Sequence, residues 1–198
     1  MESASSERIM PTALKILIAG GFGVGKTTMV GSVSEVPPLE TEERITAASV
    51  GIDNLAGVEG KLSTTVAMDF GRITISPELV LYLFGTPGQD RFWFMWDDLA
   101  TGALGALVLA DTRRLDASFA AIDFFESREI PFAVGVNCFN GHRDCTSEQV
   151  RQALALAPSI PVILCDVRDR NSSKEVILAV LEAARAQAAA RLTQVAGC

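Results

Sequence analysis

The stretch from Leu14 to Thr27, LKILIAGGFGVGKT, constrains this chain more than any other. Leu14–Ala19 is a short apolar run that reads as a buried strand. Gly20-Gly21-Phe22-Gly23-Val24-Gly25-Lys26-Thr27 follows and satisfies the spacing G-x-x-x-x-G-K-[ST]. A helix is expected to start at Gly25 and run to Val33. Glycines in such a turn let successive N–H groups point inward as an anion nest. The positive end of the helix adds to that field. Lys26 suits the β- and γ-phosphates of a nucleoside triphosphate, and the Thr27 hydroxyl suits Mg2+. The expected contacts are therefore Gly21, Phe22, Gly23, Val24, Gly25, Lys26, Thr27 and Thr28. The chain holds 13 arginines and only 4 lysines, so a lysine at the motif position is a poor candidate for coincidence. The motif selects a triphosphate but does not choose among kinases, ATPases and GTPases.

The remaining pattern supports one α/β domain over 14–195 behind a flexible tail at 1–13. After the first helix, 34–64 is polar and aperiodic and reads as a long loop, of the kind that is usually functional or mobile. Strands are expected at 65–75 and 79–84, joined by the turn Ser76-Pro77-Glu78, which suits an antiparallel hairpin. Further strands at 105–110, 132–136 and 161–164 are each followed by a helical stretch, at 115–128, 146–157 and 172–193. Val176, Val180, Ala184 and Ala188 share one face of the last helix by spacing. Strands that are apolar throughout and alternate with helices form a mostly parallel sheet covered on both faces.

Composition removes other classes. Formal net charge is −7, whereas binding a phosphate backbone needs clustered Lys and Arg, so no nucleic-acid partner is expected. No charge-free stretch, 99–110 and 152–165 included, reaches the roughly 20 residues of a membrane span. The four cysteines show no CxxC spacing and His142 is the one histidine. That argues for a reduced, cytoplasmic protein without a zinc site.

Strand 79–84 runs into Gly85-Thr86-Pro87-Gly88-Gln89. Here the chain resembles the Ras-like small GTPases, whose second switch opens with Asp-x-x-Gly-Gln. Gly88 and Gln89 match its last two positions. The resemblance implies that Gly88 meets the γ-phosphate and that Gln89 orients the attacking water, with Lys26 offsetting charge. Thr65–Phe70 (TVAMDF) looks like the Rab-type first-switch sequence that precedes the second strand, and so Thr65 is implied as the switch threonine and a second Mg2+ ligand. Switch I then spans about 35–65 and switch II about 85–98, beside the phosphate loop at 20–27. The implied fold is a Ras-like G domain: a six-stranded, mostly parallel sheet with one antiparallel edge hairpin and flanking helices. FGTPGQDRF, with TTVAMDFGRI before it, is most similar to the conservon-type GTPases of actinobacteria. Those imply a roadblock/LC7-type protein and a sensor-kinase-like protein as partners, with any membrane association made through them.

Three departures from the Ras-like pattern affect the chemistry. Gly85 stands where the family has the aspartate that holds magnesium through water, which implies weaker magnesium binding. Asp111, at the end of strand 105–110, is a partial substitute, though turn capping explains it more simply. Phe22 stands where Ras has glycine and crowds the route of an incoming arginine finger, which implies slow hydrolysis. The base-reading motif Asn-Lys-x-Asp is reduced to Asn137-Cys138-Phe139-Asn140. Asn137 fits, but Asn140 offers one acceptor where an aspartate offers two, so guanine discrimination is expected to relax. Asp166 and Val167 align with the second base loop. Phe92, Trp93, Phe94 and Trp96 form an aromatic cluster that cannot all face inward on a helix, so a mixed core and partner surface is expected. The expected function is a GTP/GDP switch with slow hydrolysis. Its rivals are a pseudo-GTPase scaffold holding nucleotide structurally and a P-loop ATPase or kinase.

Overall fold

The computed structural model describes residues 10–37, 39–45, 64–88, 90–141 and 143–196. Among the described residues seven strands form one sheet: β1 (Thr12–Ala19), β2 (Leu39–Ile45), β3 (Thr64–Ser76), β4 (Leu79–Gly85), β5 (Gly105–Ala110), β6 (Phe132–Asn137) and β7 (Val162–Cys165). Their order is β2-β3-β4-β1-β5-β6-β7. The pairs β4-β1, β1-β5, β5-β6 and β6-β7 are parallel. The pairs β2-β3 and β3-β4 are antiparallel. All six strands expected from the sequence are present. The seventh, β2, lies inside the stretch read as loop and lengthens the antiparallel edge. β1 also starts at Thr12, inside the expected tail.

Helices α1 (Lys26–Val33), α2 (Trp96–Ala100), α3 (Asp116–Ser127), α4 (Ser147–Ala153) and α5 (Arg170–Ala196) cover the sheet. The period-2 alternation of β1 sends its side chains to two separate cores. Ile16 and Ile18 pack with Met29, Val30 and Val33 of α1 and with Val176 and Val180 of α5. Leu17 and Ala19 pack with Trp96, Ile122, Phe125 and Val150 on the other face. Fully burying one such side chain stabilises the fold by about 1.5–3 kcal/mol, so both helical layers are anchored to the central strand. Ala184 completes the buried face of α5, whereas Ala188, expected there, is exposed. Helix α4 is shorter than its pattern suggested. Thr146 and Gln149 form a capping box at its start, and Ala155 adopts a left-handed φ of 52° just past its end.

This order places a functional edge. The chain leaves β1, makes the antiparallel excursion to β4 on one side, then returns to β5 on the other. Open α/β sheets bind ligands at the carboxyl ends of strands where the winding reverses. The glycine-rich loop sits at that point, between β1 and α1. Among the described residues no helix is long and apolar enough to cross a membrane.

Candidate functional site

Gly20, Gly23 and Gly25 have φ of 135°, 75° and 107°, values that disfavour any side chain. Gly25 is the N-cap of α1, no side chain caps that end, and its first turn carries no acid. The helix therefore presents its positive end to the loop. Val24 is buried beneath the loop, while Phe22 points outward with 68% of its surface exposed. Thr27 and Thr28 open the exposed face of the first turn.

Lys26 is buried, at 9% exposure. Its Nζ donates to the carbonyls of Gly20 at 2.8 Å and Gly21 at 2.9 Å. Burial lowers its pKa to about 8, against an opposing pull from the Asp69 carboxylate. The second motif closes on the same ammonium. A Cβ on Gly88 would stand 2.5 Å from Lys26 Nζ and 3.1 Å from the Phe22 amide nitrogen. The structure thus brings Gly21, Phe22, Lys26 and Gly88 together. From the far side, Arg114 donates to the Phe22 carbonyl at 2.9 Å.

Asn137 ends β6 with its side chain buried. Its Nδ2 donates to the Val24 carbonyl at 2.9 Å, and its Oδ1 accepts from the Val167 amide at 3.4 Å. One amide therefore ties the phosphate loop to the loop after β7. Asp166 in that loop is held by Arg168, which donates to its carboxylate through the backbone, Nε and Nη2. That pairing lowers the Asp166 pKa to about 2. Cys138 and Cys165 are buried free thiols, and burial pushes Cys165 up to about 12, leaving it a poor nucleophile. Gln89 lies outside the described residues, as do the side chains of Thr65 and Asn140. Thr65 itself is in β3, opposite Arg44, and Asn140 is in a 3-10 turn at Phe139–Gly141.

One carboxylate that sequence reasoning did not single out is Asp69. It sits on β3, and Thr27 Oγ1 donates to its Oδ2 at 2.8 Å. Asp111, weighed as the substitute for the carboxylate missing at Gly85, is engaged by Arg113 instead. It caps its own turn through the Arg113 amide at 3.0 Å and takes two further hydrogen bonds from the Arg113 guanidinium, at 2.8 Å each. A carboxylate from a strand other than β4 therefore stands beside Thr27. The donor set could hold a triphosphate with magnesium, which favours oxygen ligands and keeps several waters. Lys26 and the loop amides would take the phosphates, and the Thr27 hydroxyl would hold the ion. No cluster of three or more His, Cys, Asp or Glu exists among the described residues that would suggest another metal.

The aromatic cluster is split between core and surface. Phe92 and Trp96 are buried, and Phe94 is 53% exposed. Trp93 is half-buried and stacks on Trp96 at 4.5 Å. Trp96 in turn meets Phe124 edge-on at 5.1 Å.

A phosphate loop on β1, a glycine closing on its lysine and an asparagine bracing it from β6 define a P-loop protein with a G-domain-like fold. More particularly, the chain belongs to the family described as "Conserved hypothetical ATP binding protein", whose match spans residues 18–187. It is 32% identical over 126 residues to an uncharacterized protein of Methanocaldococcus jannaschii, across 63% of this chain and 69% of that one. In structure it is similar to the cytosolic domain of the T. maritima FeoB iron transporter in a GDP form, with a TM-score of 0.61 at 16% identity. That match covers 88% of this chain and 64% of the other, so this chain spans less than two thirds of that domain. The FeoB G domain from Methanococcus jannaschii matches with a TM-score of 0.59 at 10% identity, over 88% and 99% of the two chains.

Proposed function

We propose that this protein is a guanine-nucleotide switch that binds GTP with Mg2+ and hydrolyses it slowly. The observation that carries this reading is the closure of Gly88 over Lys26 and the Phe22 amide. A loop that reaches this close to the phosphate nest can sense a γ-phosphate, and its loss would release that loop. Lys26 would offset charge on the β- and γ-phosphates, the α1 amides would hold them, and Gln89 would orient water. Magnesium would neutralise phosphate charge when bound. Switch I at about 35–65 and switch II at about 85–98 carry the change outward, and Phe94 gives the second an exposed anchor. Asn137, Asn140, Asp166 and Val167 frame the base. The motif resemblance nominates a roadblock/LC7-type protein and a sensor-kinase-like protein as bacterial signalling partners, which co-purification with each would test.

The family's description and Asn140 favour one second reading, an ATP-binding protein. Nucleotide extracted from purified protein and resolved by chromatography decides the base and the hydrolysis state together. Recovered GDP, with at least about tenfold tighter binding of GTP than of ATP or XTP (~1.4 kcal/mol), supports the proposal. Recovered adenine nucleotide overturns it. Bound GTP that persists without phosphate release would instead make the protein a scaffold.

A further inference from the structure

Gly85 ends β4 where a Ras-like domain carries its magnesium-directed aspartate, and the structure fills that space from the neighbouring strand. Phe70 pairs with Phe84 across the antiparallel β3-β4 ladder. One step further along the same register, Asp69 lies opposite Gly85. A Cβ built on Gly85 would stand 2.8 Å from Asp69 Oδ2 and 2.9 Å from Asp69 Cβ. A side chain at 85 and the carboxylate of Asp69 therefore exclude each other. The carboxylate that occupies the space accepts a hydrogen bond from Thr27, the residue beside the phosphate-binding lysine.

Accordingly, we propose that Asp69 is the carboxylate of the divalent-cation site. It acts across the strand pair in place of a residue at 85, and Gly85 is glycine because Asp69 needs its volume. The proposal rests on the nucleotide reading above. Two features favour this role over a plain structural hydrogen bond. Asp69 is only half-buried, so its second oxygen can still accept a bond from a cation's water. Thr27 links it to the hydroxyl that would ligate the ion, which is how an outer-sphere carboxylate orients a metal site. The alternative acid at this edge, Asp111, is held in a two-pronged pair by Arg113.

The test reads metal dependence rather than turnover. Dissociation of a fluorescent GDP analogue is followed in excess Mg2+ and in excess EDTA, and Mn2+ bound to the complex is followed by electron paramagnetic resonance. The variants are Asp69→Asn, which keeps an acceptor for Thr27, and the swap Asp69→Gly/Gly85→Asp. The wild type should release the analogue clearly faster on chelation, and Asp69→Asn should bind Mn2+ at least about tenfold more weakly, the usual cost of losing a metal-orienting partner. Asp69→Asn should bind the analogue but lose most of that difference, along with the Mn2+ signal. The swap should regain both. Chelation sensitivity undiminished in Asp69→Asn, or a swap that binds the analogue without regaining it, overturns the proposal. A wild type that binds the analogue with no response to chelation overturns it while leaving the nucleotide reading intact. A wild type that binds no nucleotide removes both.

Discussion

Lys26 makes nucleotide binding a proton-linked event, and the size of the link follows from its burial. In the nucleotide-free protein its pKa is lowered from 10.5 to about 8 by desolvation. A bound polyphosphate would place negative charge beside the ammonium and raise that value again. Binding therefore takes up a proton wherever the free protein has lost one, and affinity falls as pH rises through 8. At pH 7 about nine in ten Lys26 side chains are charged, and at pH 9 about one in eleven, so affinity should drop about tenfold between them (~1.4 kcal/mol). Calorimetry at pH 9 in buffers of different ionisation enthalpy should report uptake of about 0.9 proton per nucleotide bound. Lys26→Arg is the reference, because a guanidinium stays charged throughout this range. The difference between the two profiles isolates the lysine from ionisation of the base. A wild-type affinity that is flat from pH 7 to 9, or one that falls in parallel with Lys26→Arg, would refute the argument.

Other changes read other parts of the site. Gly88→Ala puts a methyl group 3.1 Å from the Phe22 amide nitrogen, so it should weaken a triphosphate analogue about tenfold (~1.4 kcal/mol) and GDP little, by calorimetry. Asn137→Ala leaves the buried Val24 carbonyl without its side-chain donor and should cost about 1–3 kcal/mol in urea unfolding. Trp96→Ala opens a cavity under α3 and should cost about 3–5 kcal/mol in the same assay. Phe94→Ala, at an exposed position, should stay within about 0.5 kcal/mol while weakening partner capture if switch II is the docking face.

Much of this was legible because it is local. The motif from Gly20 to Thr27 carries its own conformation: glycines at positive φ, then a helix start. The apolar strands β4, β5 and β6 announce burial on both faces by having no polar period. β2 could not announce itself. Its sequence, LETEERI, is polar because it pairs on one side only, and edge strands carry charge that discourages further pairing. Without an apolar signal it looked like loop.

The carboxylate beside Thr27 was beyond the sequence for a different reason. Asp69 was visible in TTVAMDFGRI, but its partner depends on register. At the turn Ser76 pairs with Leu79, while beyond the irregularity Thr74 pairs with Val80. Counting back from the turn alone would set Phe70, not Asp69, against Gly85. A one-residue slip sends every side chain to the opposite face, so the bulge decides whether this site has an acid or an aromatic ring. The sequence by itself determined the phosphate loop, the strand–helix alternation and the position of Gly88, because each rests on neighbours in the chain. Only the tertiary structure decided that Asp111 is taken by Arg113 and that Asp69 fills the space of Gly85. Those outcomes depend on cross-strand register and on competition for a cation, and neither is encoded in a local stretch of residues.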